Sequence, residues 1–188
     1  MASVGLGAWT SHIALRPSAL TSVPATLDTA TAAALVQSYC TAWFALTRRC
    51  TVRPGEQVLV LGAGGGVGLA AIDVARSLGA QVIAAASSRD KLDAAVAMGA
   101  ASTIAYEDED LKTRVRELSG GGVDVVIDPV GGLHSEPALR TLGVDGRLLV
   151  IGFAAGSIPS LPANQILLKN RSVVGVDWGG WAMSNGAQ

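Results

Sequence analysis

Seven residues, GAGGGVG at positions 62–68, hold five glycines. A stretch so poor in side chains lets backbone N–H groups approach a ligand closely. Where it runs into a helix, those groups gather at the positive end of the helix dipole. The chemistry offered is anion binding, above all of a phosphate. The flanks match that use: QVLVLG is a short apolar, β-branched run that reads as a strand, and GLAAIDVARSLGA reads as a helix. A glycine run between a first strand and its helix is where a dinucleotide's pyrophosphate is held. The other reading is a glycine-rich turn without a ligand. Gly-x-Gly-x-x-Gly begun at Gly62 puts Val67 in the third glycine's slot and fails. Begun at Ala63, it reads Ala63, Gly65, Gly68 and places Gly68 inside the helix, against the first strand. That register makes Ala63, Gly64, Gly65, Gly66, Val67 and Gly68 the candidate pyrophosphate loop.

The second strand ends AAASSRDKL. A site for NADH offers a carboxylate there, about 20 residues past the glycines, to bind the ribose 2′-hydroxyl. Ala86, Ser87 and Ser88 supply none, and Arg89 and Lys91 follow at once. Hydroxyls and cations suit a 2′-phosphate, so NADPH is expected over NADH, with Asp90 the contrary residue. The alternative for Arg89 and Lys91 is a solvated first helical turn, although cations there oppose the helix dipole.

Other reactive side chains are sparse. His12 and His134 stand alone and read as surface or packing residues. Cys40 and Cys50 fit no metal-ligand spacing. On one helix they would be roughly 15 Å apart, too far for a disulfide. No Cys/His/Glu cluster suited to catalytic zinc is visible, and no general acid stands out. The net charge of −1 gives no case for nucleic acid or an anionic membrane surface. No apolar run reaches the length of about 18 residues that a membrane span needs. The opening MASVGLGAWTSHIALRP lacks a signal-peptide pattern, so a reducing, cytoplasmic setting is expected.

These residues need elements to hold them. The chain has 188 residues, 49% of them hydrophobic and 15% charged, enough for one sizeable core. Residues 1–27 are irregular, with Pro17 and Pro24. Residues 28–49 read as one helix, capped by Asp28 or Thr29, with Leu35, Tyr39, Trp43 and Leu46 at helical spacing. From Gln57 strands and helices alternate. QVIAAAS, ASTIAY, VDVVIDPV, RLLVIGF and SVVGVDWG read as strands two to six. RDKLDAAVAMGA, DEDLKTRVRELSGG, SEPALRTLGVDG and a short segment near NQILLKN read as helices. Apolar strands alternating with helices imply an α/β fold: a doubly wound, parallel six-stranded sheet of Rossmann type, strand order 3-2-1-4-5-6. Residues 28–188 would form this dinucleotide-binding domain.

In order along the chain, SYCTAWFAL, VRPGEQVLVLGAGGGVGLAAIDVARSLGA, VIAAASSRDKL, MGAASTIAY, GGVDVVIDPVGG and GRLLVIGFAAG resemble the medium-chain dehydrogenase/reductase superfamily, specifically its zinc-free quinone oxidoreductase branch. The resemblance covers nearly the whole chain. It implies that Lys91 meets the 2′-phosphate and that Tyr106 lies beside the adenosine phosphate. It places Thr41 near the nicotinamide, with Val130, Gly131 and Gly132, and Gly152, Phe153 and Ala154, bordering that half. It implies hydride transfer from NADPH to a quinone or conjugated carbonyl, with no metal, and a homodimer joined edge to edge. The alternative is an isolated NADPH-binding module without turnover, because such enzymes begin with a β-rich catalytic domain. Only what resembles its trailing end, VGLGAWTSHIALRPSALTSVPATL, stands here, and the chain stops early after the sixth strand. Val173, Val174, Val176 and Trp178 of that strand are expected under a second copy.

Overall fold

The structure is a computed structural model, and it describes residues 7–185. Six parallel strands form one sheet: β1 (Gln57–Leu61), β2 (Gln81–Ala86), β3 (Ser102–Ala105), β4 (Val123–Asp128), β5 (Leu142–Val150) and β6 (Ser172–Gly175). Their order is β3-β2-β1-β4-β5-β6, as the alternating pattern predicts. Helices α1 (Thr29–Trp43), α2 (Gly66–Ser77) and α3 (Arg89–Ala97) cover one face. Helices α4 (Leu111–Ser119), α5 (Ser135–Leu139) and α6 (Ala163–Leu167) cover the other. A last helix, α7, spans Trp178–Asn185.

The two-residue period of a strand builds both cores at once. Val58 and Val60 of β1 face α1 and α2, while Leu59 and Leu61 face the α4–α5 side. All four are fully buried, so a central parallel strand reads as an unbroken apolar run. Asp28 caps α1, its Oδ1 accepting from the N–H groups of Ala30 and Thr31 at 2.9 Å each. Tyr39 Oη then donates to Asp73 Oδ2 at 3.1 Å and ties α1 to α2. Residues 7–27 contain no strand or α-helix, only a short 3-10 turn at Pro17–Ala19 and a turn closed by the Leu27 N–H on Pro24 O at 3.0 Å. No helix among the described residues is long and apolar enough to cross a membrane.

Three elements differ from the sequence reading. The expected helix 28–49 is α-helical to Trp43 and π-helical over Phe44–Arg49, where the Cys50 N–H reaches Ala45 O at 2.9 Å. The widened turn brings the consecutive residues Phe44, Ala45 and Leu46 into the core and leaves Trp43 half exposed. The expected helix 135–146 ends at Leu139, and β5 begins at Leu142 instead of Arg147. Gly143 and Gly146 weaken a helix there, and Asp145, at φ 57°, cannot sit in one. The expected sixth strand stops at Gly175. Asp177 Oδ1 accepts the Gly180 N–H at 2.8 Å and starts α7, so Trp178 is helical.

Candidate active site

The carboxyl ends of the strands open on a cleft of about 870 Å³, large enough for a dinucleotide. Its floor is the glycine loop. Ala63 is fully buried under the loop and donates its N–H to Ala85 O at 3.1 Å, fixing the loop to β2. Gly68 lies within α2, where a Cβ would collide with the Gly62 carbonyl. That contact is the close helix-to-strand approach expected of the third glycine, in the register begun at Ala63. Gly64 makes room for Lys91: a Cβ there would stand 2.5 Å from Lys91 Cβ. Gly65, by contrast, faces open space, with only Gly62 O at 3.3 Å from an added Cβ.

The start of α2 has the features of an anion site. Its first helical bond runs from the Leu69 N–H to Gly65 O at 2.8 Å. The N–H groups of Gly66, Val67 and Gly68 therefore have no acceptor within the helix. Gly65, the N-cap, offers no side chain to them. Asp28 and Asp110 cap α1 and α4 with carboxylates, so the helix that opens on the cleft differs from both. An external anion would satisfy these donors and the helix dipole together.

Lys91 crosses the loop from the first turn of α3, and its Nζ donates to Ser87 Oγ at 2.9 Å. Tyr106, just past β3, is half-buried beside Ser87. Burial raises its pKa, with the neighbouring Glu107 adding to the rise and a hydrogen bond from Ser87 opposing it. Ser88 and Arg89 are exposed and stand off the cleft wall. Ser88 is the N-cap of α3 but makes no side-chain cap bond.

At the other end of the cleft, Thr41 is 5% exposed, and its Oγ1 donates to Gln37 O at 2.7 Å. A hydroxyl so oriented keeps its lone pairs for a donor in the cleft. Val130, Gly152, Phe153 and Ala154 complete that wall, while Gly131 is buried behind it. The β4 loop is organised by Asp128, which is 1% exposed. Its Oδ1 accepts from the Val130 and Gly131 N–H groups at 2.9 and 2.8 Å, and its Oδ2 from Ser135 Oγ at 2.5 Å.

Sequence reasoning passed over Asp128, although a lone carboxylate closing the apolar run VVI was a visible signal. His134, read as a surface or packing residue, lines the cleft and packs against Tyr106, with ring centroids 4.3 Å apart and the planes tilted by 40°. No local pattern marks it. Glu107, Asp177 and Trp178 also reach the cleft. Among the described residues, no group of three or more His, Cys, Asp or Glu is arranged to hold a metal ion.

The sequence matches the profile of the zinc-binding dehydrogenase family over residues 66–187. Quinone oxidoreductase-like protein 2 of Bos taurus is 50% identical over 165 residues, 87% of this chain and 47% of that protein. A quinone oxidoreductase of Rattus norvegicus is 35% identical over 155 residues, 82% of this chain and 46% of that one. The chain thus spans about half the length of the curated relatives it matches. Among solved structures, the quinone oxidoreductase of Thermus thermophilus, determined also as its complex with NADPH, superposes with a TM-score of 0.87 at 34% identity. That match covers 98% of this chain and 59% of that one. The Escherichia coli quinone oxidoreductase complexed with NADPH gives 0.80 at 31% identity, over 87% and 51%. Profile, relatives and fold agree: this chain belongs to the zinc-binding dehydrogenase family, among the quinone oxidoreductase-like members of the medium-chain dehydrogenases/reductases.

Proposed function

We propose that this chain is the cofactor-binding half of an NADPH-dependent oxidoreductase that passes hydride to a quinone or conjugated carbonyl without using zinc. The uncapped N-terminus of α2, with Lys91 packed over Gly64 at its edge, carries the reading. Solved relatives with this fold have been captured with NADPH. In this assignment the Gly66, Val67 and Gly68 N–H groups bind the pyrophosphate. Lys91, with Ser87, takes the 2′-phosphate, and Tyr106 with His134 flanks the adenosine. Thr41 and the Gly152–Ala154 loop orient the nicotinamide end. NADPH would supply the hydride chemistry, and the protein positions it and excludes water. The free thiols Cys40 and Cys50 suit a reducing, cytoplasmic setting.

The second reading is a module that binds NADPH without turnover. Both readings concern only the part of its relatives that this chain matches, about half of their length. Calorimetry with NADPH and NADH, followed by an NADPH-oxidation assay with a simple quinone, separates the outcomes. Tight NADPH binding with saturable turnover supports the enzyme, and tight binding without turnover supports the module. Equal, weak binding of both cofactors would overturn the proposal.

A further inference from the structure

A second concentration of charge lies outside the cleft, beside α4 and the amino ends of β5 and β6. Lys112, Arg116, Arg140, Lys169 and Arg171 line a cavity of about 170 Å³ between α4, α6 and the loop into β6. Among the described residues, Glu136 is the one carboxylate within ion-pair distance of any of the five, on Arg140 at 2.5 Å. Asp110 feels the Lys112 charge but is engaged with Thr113 at the cap of α4.

Arg171 is the unusual member. It is 6% exposed, and its guanidinium donates only to uncharged oxygens. Nε and Nη2 reach Leu142 O at 3.2 and 2.6 Å, Nη2 reaches Arg140 O at 3.4 Å, and Nη1 reaches Gln165 O at 3.1 Å and Gln165 Oε1 at 3.5 Å. Its N–H groups are spent, yet no carboxylate among the described residues pairs with its charge. Burial, together with the like charges of Arg116 and Arg140, holds its pKa below the ordinary value. A buried, uncompensated cation is costly unless a negative group comes to it.

The backbone here is strained as well. Three non-glycine residues among those described have positive φ: Asp145 (57°), Lys169 (74°) and Asn170 (53°). Lys169 lines the cavity, and the other two adjoin it in the chain or by a bond: the Asp145 N–H donates to Lys169 O at 2.8 Å, and Lys169 and Asn170 lead directly into Arg171. Such strain persists only where the surroundings enforce it, and ligand clamps are one such place. The enforced loop holds Lys169 at the cavity opposite Lys112 and Arg116 of α4.

We infer that Lys112, Arg116 and Lys169, backed by the charges of Arg140 and Arg171, form a second anion site that takes the phosphoryl group of a small compound. Lysine ammonium and arginine fork are the donors phosphate uses best. The cavity holds a phosphoryl group but not a nucleotide, unlike the cleft of about 870 Å³. The phosphoryl group could be free in solution or on a lipid headgroup.

The probe is inorganic pyrophosphate, titrated into the full chain carrying Gly65→Val to suppress binding in the cleft. The arginine Nε–H signals are followed by NMR. Saturable shifts of the Arg116 and Arg171 signals are expected. Adding Lys112→Gln and Arg116→Gln, both at the surface of α4, should weaken pyrophosphate at least about tenfold while the melting temperature holds. In the chain with Gly65 intact, the same pair should leave NADPH affinity unchanged. Sedimentation with phosphatidate vesicles, lost in the double variant, would assign the site to a headgroup. Pyrophosphate shifts without sedimentation would assign it to a soluble ligand. Pyrophosphate affinity indifferent to the double substitution, or no shift at Arg171, would overturn the site.

Discussion

At the scale of the residue, the glycines of the loop divide into two kinds, and substitution tells them apart. Gly65 is open to the cleft, so Gly65→Val should leave the melting temperature near that of the parent and abolish most NADPH binding. Gly68 is pressed against the Gly62 carbonyl, so Gly68→Ala should cost about 1–3 kcal/mol of stability through overpacking. Thermal melts and calorimetry on the two variants check this. If both lost binding and stability alike, the loop would be a structural turn only. Lys91 is tested through the cofactor. Only NADPH carries the 2′-phosphate, and a charge-assisted hydrogen bond is worth about 1.5–3 kcal/mol, roughly ten- to a hundredfold in affinity. Lys91→Ala should therefore weaken NADPH by that factor and NADH hardly at all. Equal losses for both would assign Lys91 to packing over Gly64.

At the scale of the element, β6 is the outer strand of the sheet, and an apolar edge strand invites pairing with a second copy. Of the residues expected under a partner, Val176 is already buried within this chain, and Trp178 belongs to α7 and packs against the core. Val173, 38% exposed, is what the edge still offers. Light scattering at tens of micromolar should give a dimer. Val173→Lys should shift it to monomer, and a monomeric parent chain would refute edge pairing. The elements also show what the sequence made legible. The alternation of strands and both helical layers followed from apolar period, a local signal, and the strand order followed from the doubly wound pattern that this alternation implies. The ends of the first helix and of α5 did not. Each is decided by a partner distant in sequence or by one backbone angle: Val123 pairing with Leu142, Asp145 at φ 57°, and core burial of Phe44, Ala45 and Leu46 together. The cleft followed the same division. Gly65 and Lys91 lie within motifs, whereas His134, in the turn after β4, meets Tyr106, which follows a different strand, only in the folded chain.

At the scale of the whole molecule, one ion pair joins the start of β1 to β5 at the end of the sheet opposite the cleft. Arg147 Nη1 and Nη2 meet Glu56 Oε1 and Oε2 at 3.0 and 2.9 Å, both side chains are largely buried, and Arg147 Nε reaches Cys50 Sγ at 3.4 Å. Burial pushes the Glu56 carboxyl up. The Arg147 and Arg53 hydrogen bonds and charges outweigh it and hold the carboxyl below its ordinary value of 4.5. A carboxyl whose folded pKa is depressed stabilises the native state above its unfolded pKa and loses that contribution as pH falls through the folded one. Asp28, Glu109 and Asp110 are shifted the same way by their hydrogen bonds, so all four favour loss of stability in acid. Glu56→Gln removes one of them selectively. At neutral pH it should cost about 1.5–3 kcal/mol, the worth of hydrogen bonds to a charged partner, and leave NADPH affinity intact because the pair is remote from the cleft. Below pH about 4.5 the gap between parent and variant should narrow steadily, since the parent carboxyl is then being protonated. Denaturant unfolding of both chains from about pH 7 down to about pH 3 measures that gap. A gap that stays constant across the range would mean that packing of the Glu56 side chain, and not its charge on Arg147, holds β1 to β5.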